Sequence, residues 1–105
     1  MEEQFEMFES ESWLKWRSFH KENPAVYDLF KQFTFQVIRA GFSSYSAEAI
    51  INQIRWHTSV VTTDWDFKIN NDYKPFYSRL FMSDHPEYDD FFKLRRSKAD
   101  VAVQA

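Results

Sequence analysis

Apolar residues in the first half of the chain recur every three to four positions, which is typical of amphipathic helices. The segment SWLKWRSFHK, residues 12–21, begins with Ser12 as a candidate N-cap and leaves Leu14 off the apolar face. Four rings share that face: Trp13, Trp16, Phe19 and His20. The pattern therefore predicts a first helix that packs through its aromatic side.

A second helix is predicted over residues 24–40. Asn23 is a good N-cap and Pro24 suits the first helical position, where its missing N–H costs nothing. Gly41, the only glycine in the chain, can end the helix with a positive φ. The apolar stripe of this helix consists of Val26, Leu29, Phe30, Phe33 and Val37.

A third helix follows the polar turn FSSYS, with Ser46 as its cap. Its predicted apolar face consists of Ala47, Ile50, Ile51, Ile54 and, further on, Val61. From Thr58 the pattern changes, because TSVVTTDWDFKI is β-branched and aromatic without a helical period. We therefore expect an extended loop or a short hairpin near 58–70.

The stretch FKINNDYKPFYSRLFM returns to helical spacing. A helix over 72–82, capped by Asn70, Asn71 or Asp72, would turn an aromatic stripe inward: Tyr73, Phe76, Tyr77, Leu80 and Phe81. The same geometry predicts that three polar residues face outward: Lys74, Ser78 and Arg79. A short final helix is predicted in DHPEYDDFFKLRR, with Asp84 and Glu87 in capping-box positions.

These elements predict a mainly α fold: a small single-domain bundle of four to five helices, helix-turn-helix-like, with the extended loop or short hairpin near 58–70. The domain spans 12–96, between an acidic leader at 1–11 and a flexible tail at 97–105. A chain of 105 residues is long enough for one modest core, and 12 Phe, 4 Trp and 5 Tyr make that core aromatic. One Gly and 3 Pro leave few of the turns that a β-sandwich needs.

Charge and composition narrow the class of function. The net charge is −3, but five of the 16 acidic residues lie in residues 1–12, so the remainder has 13 basic and 11 acidic residues. With no cysteine, disulfides and thiolate metal sites are excluded. No apolar run approaches the roughly 18 residues of a membrane span, and no signal-peptide pattern is present. We expect a cytoplasmic protein.

Catalytic patterns are missing from the sequence. His20, His57 and His85 lack metal-ligand spacing, and a single glycine excludes phosphate-binding glycine loops. Acidic residues such as Asp89 and Asp90 are explained as helix caps or solvated charges. The sequence therefore predicts a non-enzymatic protein without a cofactor.

Two functions remain open. In the first, a nucleic-acid-associated protein of helix-turn-helix or winged-helix type contacts double-stranded DNA through Lys68, Asn71, Lys74 and Arg79, with further phosphate contacts from Arg55, Lys93, Arg95 and Arg96. Lysine and arginine neutralise phosphates, whereas asparagine can read base edges. The connection of about a dozen residues before the 72–82 helix is longer than the motif normally uses.

In the second, the protein is an interaction or inhibitor module that binds a host protein, with the acidic leader competing for basic surfaces. Phe35 and Trp56 point away from the apolar stripes of their helices. Either the helix carrying Trp13 and Trp16 covers them, or these aromatic residues form a partner-binding surface. A homodimer is compatible with both functions.

The segments FH..NP.VY, IRW, FKINN.Y, Y.RLFM and HPEY, within residues 13–96, resemble a family of small proteins encoded in phages, prophages and bacterial genomes. The resemblance implies a phage-like genetic setting. It implies no activity and no site residues.

Overall fold

The structure, a computed structural model, describes residues 10–93. Most of the predicted acidic leader and everything from residue 94 onward, including Arg95, Arg96 and the predicted tail, lie outside the described residues. The described residues contain four α-helices: α1 (Glu11–Glu22), α2 (Pro24–Arg39), α3 (Ala47–Trp56) and α4 (Lys74–Asp84). Shorter helices are a π-helix at His57–Val61 and 3₁₀ turns at Asn71–Tyr73 and Pro86–Tyr88. The mainly helical fold class predicted from the sequence is confirmed.

Local capping chemistry explains most helix boundaries. The Ser46 hydroxyl accepts from the Ala49 amide at 3.3 Å, as predicted. In α1 the cap is Ser10, whose Oγ accepts from the Trp13 amide at 3.1 Å, so the prediction of Ser12 was wrong by two residues. Asn23 uses its side-chain amide to donate to the Phe19 carbonyl at the end of α1. Gly41 follows α2 with a φ of 103°, as expected.

Helix α4 lies at the centre of the bundle and contacts each of the other three α-helices. Its ring Phe76 stacks on Trp16 of α1, and Tyr77 stacks on Phe30 of α2. The chain after α4 closes the core with two buried rings, Phe91 and Phe92. An isolated parallel bridge joins Phe92 to Tyr45, and no strand is present in the described part of the chain.

Two further local predictions were wrong. Residues 58–61 are not extended but belong to the π-helix that prolongs α3, because serine and threonine hydroxyls sustain this turn. The predicted final helix is a single 3₁₀ turn at Pro86–Tyr88. Asp84 does not cap it; this residue ends α4 and accepts a hydrogen bond from the Tyr27 hydroxyl at 2.6 Å. A contact with a residue 57 positions away replaced the local capping box.

Candidate functional site

The π-helix at His57–Val61 is the most unusual backbone element of the described residues. Its defining hydrogen bond runs from the Thr62 amide to the His57 carbonyl at 3.1 Å. Hydroxyl groups reinforce the turn: Thr58 and Ser59 both donate to the Arg55 carbonyl, and Thr62 donates to the Thr58 carbonyl. π-Helical turns are rare in proteins, and those found within α-helices lie frequently at functional sites.

The π-helical turn presents apolar side chains to solvent. Because a π-helix bonds over five residues, side chains four and five positions apart point in similar directions, and we expect Val60 and Val61 on the same side as Trp56. Their exposed fractions are 53% for Trp56, 55% for Val60 and 56% for Val61. Trp65, which follows after one turn of loop, is 77% exposed. We call these four side chains the tryptophan–valine surface.

Trp65 is exposed but not free to move away. Its indole N–H donates to the Ser59 carbonyl at 2.8 Å, which ties the loop back to the π-helix. The Asp64 amide donates to the Thr58 carbonyl at 2.8 Å and closes the same loop. Within this loop Thr63 has a φ of 56°, a left-handed conformation that is costly for a β-branched residue. Hydrogen bonds therefore hold the Trp65 ring in place on a strained backbone.

Large exposed apolar side chains are concentrated here. Six occur among residues 10–93, and four of them form the tryptophan–valine surface; the other two are Leu14 and Phe42. Single exposed apolar residues are normal on any protein, but a cluster is not. Carboxylates border the cluster, since exposed Asp64 and Asp66 flank Trp65. No ion pair within residues 10–93 engages either one.

The residues predicted to contact DNA from the 72–82 helix are less available than expected. Lys74 is about one-third exposed and lies 3.6 Å from the Glu48 carboxylate. The Arg79 side chain is half-buried, both of its terminal nitrogens are out of contact with solvent, and burial lowers its pKa. Ser78 is fully buried. The prediction that Ser78 and Arg79 face outward was wrong, because α4 is surrounded by neighbours on more than one side.

The structure brings Arg55 and Asn71 together. One terminal nitrogen of Arg55 donates to the Ile69 carbonyl at 2.6 Å and to the Asn71 side chain at 2.8 Å, and the other donates to Asn52 at 2.8 Å. The Arg55 guanidinium therefore joins the end of the 62–70 loop to α3 through hydrogen bonds. Two other residues of the predicted DNA set, Lys68 and Lys93, are exposed.

The rings proposed for partner binding divide into covered and uncovered ones. Trp16 is buried and stacks on His20, and half-buried Trp13 packs at the edge of the core with Arg17 over its ring. Phe35 contacts Phe81 and His85 at ring-centroid distances of 5.3 and 5.0 Å. The cover of Phe35 is therefore α4 and the residues after it, not α1 as the sequence suggested. Trp56 is uncovered.

Three titratable side chains with displaced pKa values, His20, Tyr27 and Tyr77, lie inside the bundle. Burial lowers the pKa of half-buried His20, against the opposing effect of Asp28 and Asp84. Burial also raises the pKa of Tyr27 and of Tyr77 above the usual tyrosine value; the hydrogen bond to Asp84 adds to the effect on Tyr27. These groups form part of the packing between α1, α2 and α4.

Sequence reasoning found one member of the tryptophan–valine surface and missed three. Trp56 was recognised because it points away from the isoleucine face of α3. Val61 was assigned to the apolar face of the third helix, and Val60 and Trp65 only to the extended loop or short hairpin near 58–70. An additional signal was available, because Trp65 lies between two aspartates and Val60–Val61 between hydroxyl residues. Such polar neighbours are unusual for a buried segment.

Comparisons of the chain with models of protein families, with curated proteins and with solved structures found no match. Among the helices of residues 10–93, none has the length and apolar character required to cross a membrane. Function is therefore inferred from residues and geometry.

Proposed function

We propose that this chain is a non-enzymatic, cytoplasmic interaction module that binds another protein through the tryptophan–valine surface. The observation that supports the proposal is that four of the six large exposed apolar side chains among residues 10–93 lie in one hydrogen-bonded segment, from Trp56 to Trp65. Aromatic residues are enriched at the centres of protein interfaces, and tryptophan is among the residues whose truncation costs most binding energy. The resemblance to phage-encoded proteins favours a bacterial host protein as the partner.

Rigidity supports the proposal as well as exposure. A tryptophan that is already held in place loses little conformational entropy when a partner covers it. The Ser59–Trp65 hydrogen bond and the hydroxyl bonds within the π-helix provide this preorganisation. A surface ring that served only to pack the loop would be buried against the loop, whereas Trp65 is the most exposed large apolar residue described.

The test compares two double variants. In Trp56→Ala/Trp65→Ala the surface loses both rings; in Leu14→Ala/Phe42→Ala two half-exposed apolar side chains are removed elsewhere. Proteins captured from bacterial extract by the wild type are identified, purified and titrated against each variant. We expect the tryptophan variant to weaken binding at least roughly tenfold, as interface hot spots do, and the control to bind like the wild type.

Circular-dichroism melting of the variants belongs to the same experiment. Both pairs are exposed, so both variants should remain folded, and a loss of binding then reports the surface itself. A partner that binds the tryptophan variant as tightly as the wild type would contradict the proposal. So would a wild-type protein that captures no partner specifically.

Duplex DNA binding is the second candidate, and the exposed side chains of Lys68 and Lys93 are what favour it. The geometry supports DNA binding less. Lys74 is paired with Glu48, the terminal nitrogens of Arg79 are buried, and Arg55 donates to the Ile69 carbonyl. Titration with a duplex at low salt discriminates the two functions. Affinity that falls steeply with salt and is reduced by Lys68→Ala, but not by Trp65→Ala, would favour DNA.

A further inference from the structure

We infer that the partner of the tryptophan–valine surface is a protein with an apolar groove whose edges carry lysine or arginine side chains. The inference rests on the proposed function and specifies the chemistry of its partner. It follows from the charge next to Trp65 and from the shape of the turn.

Charge is the first observation. From Trp56 to Asp66 the chain has two carboxylates and no lysine or arginine. Asp64 and Asp66 are both exposed and adjoin Trp65 on either side, without an ion pair in the described part of the chain. Arg55 is directed elsewhere, toward Ile69 and Asn71. A partner that covers Trp65 brings its own rim close to these carboxylates, and basic residues there match them.

Shape is the second observation. Trp65 is 77% exposed and is held by its bond to Ser59, while the two valines lie on a hydroxyl-supported turn. An exposed apolar ring that is held in place is complementary to a recess. A groove that surrounds this turn would contact more of its apolar side chains than a flat surface would.

The same charges disfavour a second copy of this chain. In a twofold dimer the same surface faces itself, so Asp64 and Asp66 of each copy would approach those of the other. Like charges brought together across an interface oppose association. Anionic membranes are disfavoured for the same reason, although tryptophan is otherwise suited to lipid interfaces.

The experiment uses a displayed library of one helical-hairpin scaffold with randomised groove and rim positions. The library is selected on the full-length wild-type chain and counter-selected on Trp56→Ala/Trp65→Ala. We expect binders with apolar residues in the groove and an excess of lysine and arginine on the rim. A binder from this set should lose roughly three- to tenfold in affinity on Asp64→Asn/Asp66→Asn, with a weaker salt dependence.

Lys68→Gln is the matched control, because it removes an exposed charge of the opposite sign two residues beyond Asp66. It should leave affinity unchanged or increase it. Binders that require both tryptophans but show no basic excess would overturn the inference and leave the proposed function standing. A failure to obtain any tryptophan-dependent binder would contradict the proposed function itself.

Two further outcomes would identify a different binding partner for the tryptophan–valine surface. Light scattering that reveals a wild-type dimer, absent in Trp56→Ala/Trp65→Ala, would identify the occupant as a second copy. Cosedimentation with phosphatidylcholine vesicles, lost in the same variant, would identify it as lipid. Either result would overturn the inference, whereas a monomer that leaves vesicles in the supernatant agrees with it.

Discussion

His20 illustrates how the environment of one residue sets its chemistry. Its imidazole stacks on the Trp16 ring at 5.1 Å and meets the Tyr27 ring edge-on at 5.6 Å. Burial disfavours the charged form and lowers the pKa, while Asp28 on α2 and Asp84 on α4 act in the opposite direction. Burial is the larger effect, so the packing between α1 and α2 favours a neutral histidine.

Stability should therefore fall at mildly acidic pH. The contribution of His20 is fully present above its unfolded pKa of 6.5 and is lost as the pH falls below that value, because the unfolded chain then binds a proton more readily. We expect the free energy of unfolding, measured with urea, to decrease as the pH is lowered from 7.5 to 5.5. His20→Gln should flatten this decrease. An unchanged slope in the variant would contradict the assignment to His20.

At the scale of the element, the joint between α3 and the following loop is the most specialised part of the fold. The α-helix becomes a π-helix at His57, and the loop that follows passes through Thr63 in a left-handed conformation. Strain of this kind is retained where surrounding contacts enforce it, and here side-chain hydrogen bonds do so. The element carries four of the six large exposed apolar side chains among residues 10–93, from Trp56 to Trp65.

Glycine at position 63 should relieve that strain. A left-handed φ costs a non-glycine residue about 1–2 kcal/mol, partly offset by the entropy glycine loses on folding. We expect Thr63→Gly to raise the free energy of unfolding by about 0.5–1 kcal/mol, measured by urea denaturation.

The matched control for this prediction is the neighbouring residue. Thr62 has a φ of −93° and donates its hydroxyl to Thr58, so Thr62→Gly should destabilise the protein by about 1 kcal/mol. If both glycine variants lose stability equally, the left-handed conformation is not a source of strain.

At the scale of the whole molecule, one aromatic core joins segments that are distant in sequence. Three rings contact one another: Phe30 of α2, Phe81 of α4 and Phe92 near the end of the described chain. The centroid of the Phe92 ring lies 5.3 Å from that of Phe30 and 5.8 Å from that of Phe81. Tyr45 meets the same terminal segment through its amide, which donates to the Phe91 carbonyl at 3.3 Å. Residues 91–92 thus close the bundle.

Removing the Phe92 ring should destabilise the protein substantially. Phe92→Ala deletes a buried ring and should lower the free energy of unfolding by about 3–4 kcal/mol, through lost burial and the cavity left behind. Phe42→Ala is the control, since that ring is half-exposed and should contribute less than about 1 kcal/mol. Urea unfolding of the two variants provides the comparison. Similar losses in both would mean that residues 91–92 do not complete the core.

Local sequence patterns are sufficient to locate the four α-helices and most of the core residues. Ser46, Gly41 and Asn70 act on backbone groups within a few positions, and the aromatic stripe of α4 repeats within each turn. Such information is local and can be extracted from the pattern of neighbouring residues. The same holds for Trp56, whose position off the apolar face of α3 follows from helical spacing alone.

Which helix faces are covered depends instead on the packing of the folded chain. Arg79 and Ser78 are shielded because α4 lies inside the bundle, and Phe35 is covered by residues about 50 positions later in the chain. Asp84 accepts from Tyr27 instead of capping the next turn. The tryptophan–valine surface depends on the same distant packing, because a side chain is exposed only when no other segment reaches it. The physical reason is that burial is a property of the assembled chain, whereas helical periodicity is a property of each segment.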